Sequence, residues 1–167
     1  VVAAAVSVEA PFSTAQAEDN TVTLCDGGSR IIPARLVVGR TGTNNALIVT
    51  GGARVESLTG EIGLVGSWNR ALVSGPGSAW SNQCPFKVGG AGGWNQVVIA
   101  EGGSLANHTM AVIGDNTGIP GNSIVVTGPG SVWDNSGGLT IAWGGRHSTL
   151  VVSNGAHVFN THGVVGR

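Results

Sequence analysis

The chain has 167 residues, 29 of them Gly, with 10% charged residues and eight basic against nine acidic side chains for a formal net charge of −1. So much Gly argues against a helical domain, because each interior Gly costs a helix about 1 kcal/mol relative to Ala. The 41% hydrophobic content argues against disorder, the balanced charge leaves no footprint for nucleic acid, and no apolar run approaches the ~18 residues of a membrane span.

In chain order, residues 1–19 form an N-terminal apolar segment, read as a cap on the first coil or as a strand that pairs with another chain. The alternative is a signal remnant, since Ala15-Gln16-Ala17 resembles a secretory cleavage site. From residue 20 to 167 the sequence repeats, with units opening at Asn20, Asn44, Asn69, Asn95, Asn122 and His147. The period is therefore about 25 residues, over six units.

Each unit begins with a polar turn residue and a β-branched run such as Leu47-Ile48-Val49 or Ile124-Val125-Val126. A Gly-containing corner comes next, then a brief strand centred on Val55, Trp80, Leu105, Trp133 or Val158. A third apolar strand closed by Gly is expected at 63–66, 86–89, 110–114, 139–144 and 163–166. Units with Gly-Pro-Gly-Ser-x-Trp open at 69 and 122, and units with a Gly-Gly or Asn-Gly corner open at 44, 95 and 147, so a two-unit period lies over the one-unit period.

One unit cannot bury its apolar face alone. Copies stacked at the ~4.8 Å inter-strand spacing can, because each strand then pairs with its counterparts above and below. The expected fold is all-β, a parallel β-solenoid of about six coils. Asn45, Asn69, Asn95 and Asn122 recur at the unit starts and form a candidate amide ladder between coils.

Residues 122–166 carry Asn122-Ser123, Gly128-Pro129-Gly130-Ser131-Val132-Trp133-Asp134-Asn135, Leu139-Thr140-Ile141, Leu150-Val151-Val152-Ser153-Asn154-Gly155, Val158-Phe159-Asn160 and Val164-Val165-Gly166. This double unit resembles the repeat of autotransporter (type V secretion) passenger regions and of PEP-CTERM-associated bacterial surface proteins. Residues 69–114 match nearly as well, and Cys84-Pro85 departs from the family's small-residue turn. The resemblance implies a right-handed β-helical stalk or adhesin-like protein, secreted or held at a bacterial surface, and transfers no catalytic residue.

The remaining chemistry is sparse. Glu56, Glu61, Glu101, Asp115 and Asp134 read as solvated turn residues rather than a carboxylate pair for glycoside hydrolysis. His147, His157 and His162 lack metal-ligand spacing, and no cofactor is expected. Trp80 and Trp133 are expected in the core, whereas Trp68, Trp94 and Trp143 lie beside Gly-rich turns and are candidate glycan or partner contacts. Cys25 and Cys84 fall at different angular positions, which argues against a disulfide. Asn107-His108-Thr109 fits the glycosylation sequon. The expected function is a non-enzymatic extracellular stalk or self-assembling fibre subunit, with head-to-tail self-association through uncapped solenoid ends. The alternatives are a glycan-binding adhesin module, which requires exposed Trp rings, or a polysaccharide-active β-helix enzyme, which requires clustered carboxylates.

Overall fold

The computed structural model describes residues 21–166, so the segment 1–19 lies outside the described residues. Coil 1 holds β1 (Thr21–Leu24) and β2 (Ser29–Val38), and coil 2 holds β3 (Ala46–Val49) and β4 (Arg54–Ile62). Coil 3 has β5 (Arg70–Ser74), β6 (Ala79–Asn82) and β7 (Phe86–Val88); coil 4 has β8 (Gln96–Ala100), β9 (Ser104–Asn107) and β10 (Ala111–Ile113). Coil 5 has β11 (Ser123–Thr127) and β12 (Val132–Ile141), and coil 6 has β13 (Thr149–Ser153) and β14 (His157–Val165).

The first strands of the coils form one six-stranded sheet, in the order β1-β3-β5-β8-β11-β13, and the remaining strands form a second sheet. Strand pairing between coils is parallel, as between Val97 and Ile124 or between Leu36 and Gly60. The chain is a parallel β-solenoid: bonds within a coil close the corners, as from Ser78 N to Gly75 O, while its strand ladders run from coil to coil. That is why the period in sequence fixes the register in space.

Three strands per unit occur only in coils 3 and 4. Elsewhere the second and third strands merge into one of nine or ten residues, with register breaks between Ile32 and Arg35 and between Asn135 and Gly138. In coil 3 the interruption falls at Gln83-Cys84-Pro85, where Pro has no N–H for the ladder. The strand expected at 63–66 is also displaced: it lies at 60–62, inside β4, and pairs with Phe86–Val88. Gly63 ends it with φ +72, and Val65 beyond it is exposed. An apolar pair in a corner had the composition of a strand without its backbone.

The core lies between the sheets. Residues 71 and 73 of β5 point inward while 70, 72 and 74 point outward, and β8 and β11 begin with the same in-out alternation. One inward column runs Val55, Trp80, Leu105, Trp133, Val158. Each indole is thus flanked by smaller aliphatic side chains rather than by another indole, which gives the two-unit period its physical reason. Trp80 and Trp133 are fully buried, and Trp80 meets Phe86 edge-on at 5.2 Å. Each such side chain contributes about 1.5–3 kcal/mol through burial. The Gly-Pro-Gly-Ser corner of the same units caps its neighbour: Ser78 Oγ accepts from Gly52 N, and Ser131 Oγ from Gly102 N, both at 3.0 Å.

Candidate functional site

Two columns of amides hold the coils in register. Asn45 Nδ2 donates to Asn69 Oδ1 at 3.0 Å, Asn69 to Asn95 at 3.1 Å, and Asn95 to Asn122 at 3.2 Å. The same oxygens accept the backbone N–H of Asn45, Asn69 and Asn95 at 2.9, 2.9 and 3.0 Å. All four residues are buried, so their role is internal.

A second column, which the repeat pattern alone did not reveal, runs Ser57, Asn82, Asn107, Asn135. Ser57 Oγ donates to Asn82 Oδ1 at 2.6 Å, and Asn107 Nδ2 donates to Asn135 Oδ1. Both core indoles bond to it: Trp80 Nε1 donates to Ser57 Oγ at 3.0 Å and Trp133 Nε1 to Asn107 Oδ1 at 2.8 Å. The available signal was an Asn two residues after the core column, at 82, 107, 135 and 160. Asn107 is buried in this column, so the sequon at 107–109 presents no accessible acceptor.

The candidate contacts Trp68 and Trp94 lie on the outside. They occupy the position just before the ladder Asn, which is Asn44, Trp68, Trp94, Gly121 and His147 in successive coils. All five have left-handed backbone, with φ of +55, +61, +58, +76 and +54. Asn and Gly tolerate that region, but for a bulky side chain it is an outlier costing of order 1–2 kcal/mol. Bonds from the neighbouring coil impose it: Trp68 N donates to Gly93 O at 3.1 Å, and Trp94 N to Pro120 O at 3.0 Å.

The two rings stack, with centroids 5.4 Å apart and planes 10° from parallel, and the residues are 57% and 47% exposed. Gly121 makes room for this, since a Cβ there would fall within the Trp94 ring. Trp143 is 39% exposed and out of this column, four residues before the equivalent His147.

Beside the rings runs the outward face of the first sheet. Its first row is Arg70, Gln96, Ser123, Thr149, and its next is Ile48, Leu72, Val98, Val125, Val151. The second row places aliphatic side chains where a one-sided sheet normally carries polar ones. A groove is lined by Trp68, Arg70, Trp94, Gln96, Ser123 and His147, among others. A smaller cleft lies among Thr21, Asn44, Trp68 and Arg70. Trp68 and Arg70 stand at the junction of both.

Of the acidic residues expected in solvated turns, Glu61 is a correction. It is 4% exposed and paired with Arg35 between neighbouring strands of the second sheet, and Lys87 of β7 pairs with Asp115 just beyond β10. A charge this deep is retained only with such a partner. Glu56, Glu101 and Asp134 are exposed as expected, but Glu56 lies in β4 and Asp134 in β12 rather than in turns, and His147, His157 and His162 are exposed too. Among the described residues no group of three or more His, Cys, Asp or Glu converges as a metal site. Both thiols are free, and Asp26 raises the Cys25 pKa by accepting its hydrogen bond and by its charge. Set against protein-family models, curated proteins and solved structures, the chain matches none.

Proposed function

We propose that this chain is a non-enzymatic structural segment: a β-solenoid rod within a secreted or surface-displayed bacterial stalk or fibre, of the kind built by autotransporter passengers and PEP-CTERM-associated repeat proteins. The observation that carries this reading is the pair of buried polar columns. Apart from Asn82 Nδ2 and Asn122 Nδ2, which find no partner, these columns tie coil to coil from inside, which suits a rod that bears load along its length. Electron microscopy of native material, combined with protease shaving of intact cells, tests it. Rods of constant width, removed from cells by external protease, are expected. Retention inside cells, or release of reducing sugar ends by the pure protein, would overturn it. Filaments longer than one chain's stack of coils would add head-to-tail self-association.

A second reading, a glycan-binding module, is favoured by one observation: Trp68 and Trp94 hold exposed, stacked rings on backbone that disfavours them. Strained residues that the surroundings over-determine cluster at ligand sites.

A further inference from the structure

We propose that the groove beside Trp68 and Trp94 binds a linear anionic polysaccharide lying along the rod axis, with an acidic sugar against Trp68 and its carboxylate on Arg70. This rests on the glycan-binding reading above and specifies its ligand. The guanidinium of Arg70 has no carboxylate partner among the described residues, and neither cleft is lined by an acidic residue. Its charge is therefore available to a ligand, at the point where both clefts and the more exposed indole meet. A planar guanidinium matches a carboxylate with two parallel hydrogen bonds.

Periodicity argues for a polymer. Gln96, Ser123 and Thr149 succeed Arg70 in one row, each a coil further along the axis. Gln96 Nε2 donates to Ser123 Oγ at 3.3 Å, which leaves the Gln96 amide oxygen and the two hydroxyl protons facing out at a regular interval close to the strand spacing, about 4.8 Å. A chain of sugars meets such a rail with hydroxyls that also recur at a regular interval. The C–H faces of its rings suit the indoles and the adjoining row Leu72, Val98 and Val125. A polysaccharide is favoured over a nucleic acid because the rows beside the rings are hydroxyl, amide and aliphatic rather than basic, matching the O–H and C–H faces of sugars.

The test is a tryptophan-fluorescence titration of the chain with oligogalacturonate, with neutral cello-oligomers of equal length, and with single-stranded DNA, at low and high salt. The acidic oligomer is expected to bind most tightly, and less so as salt rises. Arg70→Gln is expected to weaken it at least about tenfold, as for a lost hydrogen bond to a charged group. Trp68→Asn, which gives coil 3 the residue that coil 2 has at that position, is expected to abolish the response while circular dichroism stays native. Equal binding of acidic and neutral oligomers, unchanged by Arg70→Gln, overturns the anionic ligand and leaves the glycan reading standing. No binding of either oligosaccharide overturns both, and tighter binding of DNA overturns the choice of polymer.

Discussion

The amide column stops one coil short, and this defect can be repaired. β11 and β13 pair with Ser123 opposite Thr149, which sets Ser148 opposite Asn122. Where each preceding Asn finds an amide oxygen in the next coil, Asn122 meets only a short hydroxyl, and both Asn122 Nδ2 and Ser148 Oγ are buried without a partner. Room for a longer side chain exists. Gly39, Gly63 and Gly89 leave space where the amides of Asn69, Asn95 and Asn122 lie, and Gly114 does the same for Ser148. Ser148→Asn should therefore extend the column. Satisfying a buried donor recovers about 1–3 kcal/mol, and ordering the longer side chain costs up to about 1 kcal/mol, so a net gain of about 1–2 kcal/mol is expected. A stacked array can open coil by coil, so the appropriate assay is amide hydrogen exchange in β13 rather than global melting. The gain corresponds to exchange slowed by a factor of about 5–30. Unchanged or faster exchange in β13, with coils 1 to 4 unaffected, would refute the claim that the column is a stabilising device.

The converse substitution, Asn95→Ala, leaves the Asn69 backbone N–H without its acceptor inside the core, and a loss of about 2–4 kcal/mol is expected from urea denaturation. Gly89→Ala puts a Cβ into the Asn122 amide at φ +78, whereas Gly118→Ala meets only its φ of +81 with nothing within 4 Å. The second should cost about 1 kcal/mol and the first clearly more, and equal losses would sink the steric argument. The raised pKa of Cys25 means less thiolate at a given pH. Alkylation at pH 8 should therefore be slower than for a cysteine peptide and should speed up in Asp26→Asn, and a rate indifferent to that change would contradict the assigned cause.

What could be read from the sequence was whatever recurs with the coil. The column of Asn45, Asn69, Asn95 and Asn122 and the burial of Trp80 and Trp133 emerge from aligning the units, because equivalent residues stack and share one environment. The third strand of coil 2 was misplaced because Leu64-Val65 is as apolar as a strand, and only the left-handed turn at Gly63 excludes it. The second polar column was missed because its members differ in kind: Ser57 stands where later coils have Asn. Glu61 reads as a surface acid in the sequence because its partner Arg35 sits a full coil away, 26 residues earlier.

The Trp68–Trp94 site was half legible, and the missing half is instructive. Composition suggested exposed rings beside Gly-rich turns, but nothing in tryptophan's own preferences announces a left-handed backbone. That requirement belongs to the coil and is met elsewhere by Asn44, Gly121 and His147. In the interior columns, what each coil needs and what its residue prefers agree except at Asn82 and at the Asn122–Ser148 step, and those columns determine the rod. On this outer column they agree at Asn44 and Gly121 and conflict at two adjacent Trp. Left-handed backbone also falls on Glu101 and Ala142, but among the described residues it carries an indole at Trp68 and Trp94 alone, and a local conflict of that size is where function is sought. The stacking of the rings returns about 0.5–1.5 kcal/mol, no more than the strain at a single one of them. Burial of about half of each indole offsets the remainder, so the rod tolerates both rings, and the ligand proposed for the groove would give a reason for indoles here where neighbouring coils carry Asn or Gly.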